Sequence, residues 1–243
     1  MKTENLNGKV ALVTGASRGI GRSIAIALAS AGVTVMATAR DETSLQNLIN
    51  DIDAPENTTG YITGDLVEKE IPAQLVEETV RRFGRLDILV NNAGILLAKP
   101  MAETSSDEWD RVMAINARAP FLLCQAACPL MKQSGGGTVI QIVSVVGEKS
   151  YPSQGAYTAS KHALMGFSKV LAQEVRQDNI RVHTILPGGV DTDMMGDLDT
   201  KLESSELMAP SDIAEIVMFL LSHRNNAVID STRLRRAVKE PWF

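Results

Sequence analysis

VTGASRGIGR, residues 13–22, is the stretch on which the reading of this chain turns. It lies between a short apolar run, KVALVT (9–14), and a helical pattern, GIGRSIAIALASAG (19–32). A glycine-rich turn that leaves a first strand and opens a first helix is the context a phosphate-binding loop requires. The glycines are Gly15, Gly19 and Gly21, with Ser17, Arg18 and Ile20 between them. Gly15 permits a sharp exit from the strand. Gly19 and Gly21 allow close backbone approach and close packing of helix on strand. The helix N-terminus then offers unpaired N–H groups and a positive dipole end to the pyrophosphate of a dinucleotide. The alternative is a plain glycine-rich turn.

Outward from that loop, strand-like runs and helical patterns alternate along the chain. VTVMATAR (33–40), TGYITGD (59–65), LDILVNNAG (86–94), GTVIQIVS (137–144), IRVHTILPG (180–188) and NAVIDSTRLRR (226–236) read as further strands. DETSLQNLINDI (41–52), with Asp41 as its N-cap, and IPAQLVEETVRRFG (71–84) read as helices. So do SDEWDRVMAINARAPFLLCQAACPLMK (106–132), with a serine cap and acidic first turn, GAYTASKHALMGFSKVLAQEVRQ (155–177) and PSDIAEIVMFLLS (210–222). Near-continuous apolar strands alternating with helices predict an α/β fold of Rossmann type, a doubly wound parallel sheet of seven strands with helices on both faces. No linker, repeat or low-complexity tract divides it, so one domain over residues 1–243 is expected. Residues 193–209 show no readable structure.

Bulk properties narrow the function. The chain has 243 residues, 44% hydrophobic and 22% charged, a globular composition long enough for a large core. A net charge of −5 without a basic tract argues against nucleic acid, and RLRR (233–236) is too short to reverse that. No run approaches the roughly 20 apolar residues that cross a bilayer. The N-terminal apolar run ends at a glycine and does not read as a signal peptide. Cys124 and Cys128 fall on one helical face, where a disulfide has poor geometry, and they read as reduced packing residues of a cytoplasmic protein.

The end of the second strand bears on cofactor choice. An acidic side chain there accepts bonds from adenosine ribose hydroxyls. Here Ala39 and Arg40 precede the first carboxylate, Asp41. With Arg18 in the glycine loop, two guanidinium groups suit a 2′-phosphate, which predicts NADP(H). The alternative is that Arg40 only ends the strand and Asp41 swings in.

TGASRGIG (14–21), NNAG (91–94), a serine closing the fifth strand, YTASK (157–161) and PGGVDT (187–192) together resemble the short-chain dehydrogenase/reductase family, in order and spacing, over roughly residues 8–222. The resemblance implies a catalytic tetrad of Asn116, Ser144, Tyr157 and Lys161. Tyr157 would give its phenolic proton to a substrate carbonyl oxygen. A free phenol has a pKa of about 10 and needs tuning to work near neutrality. Lys161 lies one helical turn on, where its charge favours the phenolate. By resemblance Lys161 also bonds the nicotinamide ribose, Ser144 holds the substrate oxygen, and Asn116 binds a water leading from Lys161 to solvent. Asp65 would face the adenine beside Leu66. Asn92, Ala93 and Gly94 would pass under the cofactor. Pro187, Gly188, Val190 and Thr192 would meet its nicotinamide end. Val145, Val146, Ser150, Tyr151 and Met194 would wall a mostly apolar pocket. His162, His183 and His223 have no evident catalytic partner and read as structural.

The chain also departs from the family. In carrier-protein reductases, arginines on the two long helices contact the acidic carrier, and the matching positions here are Cys128 and Gln173. The lid between Thr192 and Pro210 is short. The glycine-rich ending of relatives is replaced by NNAVIDSTRLRRAVKEPWF, whose Trp242 and Phe243 read either as an interface plug or as a frayed tail. The expectation is an NADPH-dependent carbonyl reductase, a homodimer or homotetramer acting on small molecules. The alternatives are an acyl-thioester reductase and a non-catalytic NADP(H) sensor.

Overall fold

The computed structural model describes residues 4–55, 57–196 and 203–241. Seven parallel strands form one sheet in the order β3-β2-β1-β4-β5-β6-β7. They are β1 (Val10–Thr14), β2 (Thr34–Ala39), β3 (Thr59–Thr63), β4 (Ile88–Asn91), β5 (Gly137–Ile142), β6 (Ile180–Pro187) and β7 (Ser231–Leu234). The helices are α1 (Gly19–Ser30), α2 (Glu42–Asp51), α3 (Ile71–Phe83), α4 (Ser106–Met113), α5 (Ala119–Gln133), α6 (Gly155–Glu174), α7 (Asp193–Gly196) and α8 (Pro210–Ser222). Strand order reverses between β1 and β4, which opens a crevice at their carboxyl ends.

Strand alternation fills both faces. Ala11, Val13, Ile88 and Val90 join the layer beneath α1, α2 and α8. Leu12, Leu89 and Val139 point the other way, beneath α3, α5 and α6. A residue pair buried on opposite faces explains why the strands lack a polar side, as the sequence predicts. Asp41 caps α2, accepting from the Ser44 N–H at 2.8 Å. Among the described residues no helix is long and apolar enough to cross a membrane. Cys124 and Cys128 are free and buried, and burial raises both thiols, Cys128 to about 11.

Two expectations need correction. The helix read over 106–132 is two helices joined by a π-helical turn, Ala114–Arg118. Pro120, which has no N–H to donate, follows directly, so the α-helical ladder is interrupted there. The seventh strand is only Ser231–Leu234; just before it, the Ile229 and Asp230 carbonyls still meet His183 and Thr184 of β6, but residues 226–230 do not form a ladder. Of the unplaced stretch 193–209, α7 and a short 3₁₀ turn, Ser204–Glu206, flank residues 197–202, which lie outside the described residues, as do Trp242 and Phe243.

Candidate active site

The crevice is held together by Thr14 at the end of β1. Its hydroxyl accepts from the Asn92 and Ala93 N–H groups at 3.0 and 3.1 Å and donates to the Val90 carbonyl at 3.2 Å. Asn92 in turn donates Nδ2 to the Thr14 and Gly15 carbonyls at 2.9 and 3.1 Å. The NNAG segment is therefore fastened to the glycine loop. That packing requires glycine. Gly15 has φ +63°, and a Cβ there would stand 2.8 Å from Ala93 Cα. A Cβ on Gly21 would overlap the Gly15 carbonyl oxygen and Asn92 Nδ2. Ile20 packs on the core, with Ser17 half-buried beside it. The α1 N-terminus has no side-chain cap and no acidic residue in its first turn. Its N–H groups are free to receive an anion such as a pyrophosphate.

The rim of the crevice carries the remaining predicted cofactor contacts. Arg40 is exposed at the end of β2. Asp41 is committed to capping α2, and the Ser44 hydrogen bonds hold its carboxyl below the usual range. Arg18 pairs with Asp193 at 2.6 Å, across the opening, with both side chains largely exposed. Asp65 makes a local turn, accepting from the Val67 N–H at 3.1 Å, and Leu66 is buried. The PGGVDT segment leaves β6 and folds back, so that Thr192 Cγ2 lies 3.0 Å from where a Gly19 Cβ would be. Val190 bridges to Met208, and the Gly188 N–H donates to the Leu234 carbonyl at 2.9 Å.

The four tetrad positions come together on the adjoining side. Tyr157 and Lys161, on α6, are only 8% and 4% exposed, and the ammonium lies 5.9 Å from the phenol ring centre. Lys161 Nζ donates to the Ile142 carbonyl at 3.0 Å, at the end of β5. Ser144 follows with φ 148° and ψ 160°, a backbone region that is almost glycine-only. Its hydroxyl accepts from the Val146 N–H at 3.3 Å. Burial pushes the phenol above its ordinary value, and the Ser144 hydrogen bond opposes it. Burial also brings the Lys161 ammonium down to about 8. The lysine's charge was expected to favour the phenolate; the largest influence on the phenol in this structure is burial, which raises it.

Asn116 occupies the π-helical turn, fully buried. It donates Nδ2 to the Ile95 carbonyl at 2.8 Å and to Ser160 Oγ at 3.0 Å, and accepts from the Ile95 N–H at 2.8 Å. Ser160 Oγ donates to the Tyr157 carbonyl at 2.7 Å. Gly94 separates the two polar heads, since a Cβ there would lie 3.3 Å from Asn116 Oδ1 and 3.5 Å from Lys161 Nζ. Thr14, Ser160 and Asp193 were not singled out from sequence. The first two sit inside quoted motifs as small hydroxyl residues, and only their partners reveal their parts.

The three histidines stay out of the site. His162 Nδ1 faces the Thr158 carbonyl, His183 the Ile229 carbonyl, and His223 stacks on Phe219. Among the described residues no cluster could hold a metal ion.

A glycine-cradled switch point beside a buried tyrosine and lysine defines an oxidoreductase of the Rossmann class. The chain belongs to the short chain dehydrogenase family, whose model matches residues 9–203. It is 32% identical over 232 residues to a 3-oxoacyl-(acyl-carrier-protein) reductase of Thermotoga maritima, covering 92% of this chain and 94% of that one. The corresponding Salmonella typhimurium reductase is 36% identical over 237 residues, covering 94% and 96%. A metagenomic short-chain oxidoreductase in complex with NADP superposes with TM-score 0.84 at 34% identity, over 97% of this chain and 100% of that one. An alcohol dehydrogenase from Thermococcus sibiricus complexed with 5-hydroxy-NADP gives 0.84 at 28% identity, over 97% and 99%.

Proposed function

We propose that this protein is an NADPH-dependent reductase of ketones and aldehydes, with Tyr157 as the proton donor. The observation that carries the reading is the buried pair of Tyr157 and Lys161, one helical turn apart, with the ammonium held to the Ile142 carbonyl two residues before Ser144. The cradle of Gly15, Gly21 and Gly94 and the uncapped α1 terminus fit a dinucleotide. Two similar solved structures hold NADP or a derivative of it. Arg40 and Arg18 supply charge for a 2′-phosphate, and Asp41 is occupied elsewhere. Bound there, the nicotinamide supplies a hydride to the carbonyl carbon.

The chain's residues do the rest. Ser144 donates to the carbonyl oxygen and stabilises its developing charge. Tyr157 transfers its proton to that oxygen. Lys161, charged below about pH 8, offsets the phenolate left behind. Asn116 fixes both backbone polar groups of Ile95, directly after Gly94, and the second lone pair of its Oδ1 is where a water leading to Lys161 would attach. Asp65, Leu66, Asn92, Ala93, Pro187, Gly188, Val190 and Thr192 line the remainder of the dinucleotide path. We take the assembly to be a cytoplasmic homo-oligomer acting on small molecules.

A second reading, reduction of an acyl thioester, is favoured by the names of the two reductases above. Against it, Cys128 is buried and Gln173 is uncharged where a carrier would need arginines. The test is NADPH oxidation by the purified protein on diketones, aromatic ketones and an acetoacetyl thioester, with NADH in parallel. Turnover of free ketones with NADPH is expected. Turnover confined to the thioester selects the second reading, and no turnover on any carbonyl overturns both.

A further inference from the structure

A serine outside the four tetrad positions links two of them. Asn116 and Ser160 are both fully buried. The Ile95 N–H can meet only an acceptor and the Ile95 carbonyl only a donor. The Asn116 amide therefore sets Oδ1 against the first and Nδ2 against the second, each at 2.8 Å. Its remaining Nδ2 hydrogen is left for Ser160 Oγ, at 3.0 Å. Ser160 must accept that bond, and its own single hydrogen goes to the Tyr157 carbonyl at 2.7 Å. An unbroken link thus joins Ile95, after β4, through the π-helical turn to the first turn of α6.

That first turn carries Tyr157, and it lacks the usual fastening. Gln154 stands at the α6 N-cap without a side-chain hydrogen bond. Helix ends without such a cap fray, so the turn depends on what else holds it. A serine that bonds back to its own helix is common and by itself says nothing about function. Ser168 does so on the same helix, also buried, donating to the Leu164 carbonyl at 2.6 Å, and among the described residues its side chain makes no other hydrogen bond. Ser160 differs, because it also accepts from a tetrad side chain. We propose that Ser160 is a positioning residue, whose hydroxyl holds the turn of Tyr157 in register with the Asn116 amide. The inference rests on the reductase reading above and deepens it. Without the hydroxyl, one Asn116 N–H is buried with no acceptor, and the amide and the turn settle independently.

The test measures NADPH-dependent ketone reduction by the wild type, Ser160→Ala, Asn116→Ala, the double variant and, as a control, Ser168→Ala. A fluorescence titration of NADPH on each gives the concentration of binding sites, and kcat is expressed per site so that unfolded protein does not enter it. Ser160→Ala should lower kcat about tenfold, the scale of a stranded buried donor. Its KM for the ketone and its NADPH dissociation constant should stay within about twofold of wild type. Ser168→Ala loses the same kind of helix bond and should keep kcat within about twofold. In the Asn116→Ala background, Ser160→Ala should lower kcat by less than about a further twofold, because the link is already cut. The comparison of Ser160→Ala with Ser168→Ala stands even where the Asn116 variant does not fold. Equal kcat in those two variants, or a loss of about tenfold repeated in the Asn116→Ala background, would overturn the proposal alone. A wild type that reduces no carbonyl would remove the reductase reading and the proposal with it.

Discussion

Tyr157 and Lys161 show what burial does to a pair of ionisable groups. Each is driven toward its neutral form, the phenol upward and the ammonium down to about 8. Below about pH 8 the folded state bears the cost of a charged, dehydrated Lys161. Between that value and the ordinary 10.5, the folded protein releases the proton while the unfolded chain keeps it, so stability rises with pH. Lys161→Met should therefore stabilise the protein by roughly 1–3 kcal/mol at pH 7, a gain that shrinks toward pH 10. Chemical denaturation at both values checks it, and a variant less stable than wild type at pH 7 would contradict it. The YTASK spacing made this pair legible in the sequence. The φ of 148° at Ser144 was not, because nothing in VSVVG marks a residue forced into glycine's territory.

At the scale of elements, α1 reaches the crevice only because its first turn can approach β1 and the β4 exit. Gly21 is the contact point, wedged between the Gly15 carbonyl and Asn92 Nδ2. Gly21→Ala should cost about 1–3 kcal/mol through overpacking and should weaken NADPH binding by shifting the loop. Urea melts and a fluorescence titration of NADPH measure the two effects, and an unshifted melting curve would contradict this account of the packing. Strand and helix order was legible from the alternation of apolar runs, and Asp41 caps α2 as its position before ETSL predicts. The π-helical turn was not, since MAINARA continues a helical pattern and the interruption shows only in the hydrogen-bond ladder around Pro120. The short β7 was overread because NAVID has strand character, but the ladder with β6 begins only at Ser231, the Ile229 and Asp230 carbonyls meeting His183 and Thr184 outside it.

Across the whole molecule, chemistry and anchoring lie at opposite ends of the sheet. The carboxyl ends of the strands carry the tetrad and the glycine loop. At the amino ends, buried Asp87 accepts from the Val10 N–H at 2.9 Å and from Arg85 Nε and Nη2 at 2.8 and 2.6 Å. Lys9 stands 3.7 Å away. Asp87→Ala would strand a main-chain donor and remove the countercharge of Arg85, costing about 3 kcal/mol. The kcat of the folded fraction should not change. A loss of kcat without a loss of stability would show that the two ends are not separate. This division explains which residues sequence could find. Motif residues near the glycine loop and Tyr157 carry recognisable spacings, whereas the Asp87 network joins segments distant in the chain and exists only in the fold.

The central claim is that Tyr157 gives the proton. The direct measurement is single-turnover reduction of a reactive ketone by Tyr157→Phe, with NADPH affinity measured on the same preparation. The account predicts a rate lower by about a hundredfold to ten-thousandfold, the range for loss of a general acid, with NADPH binding within a few-fold of wild type. A Phe variant that reduces the ketone at near wild-type rate would contradict it.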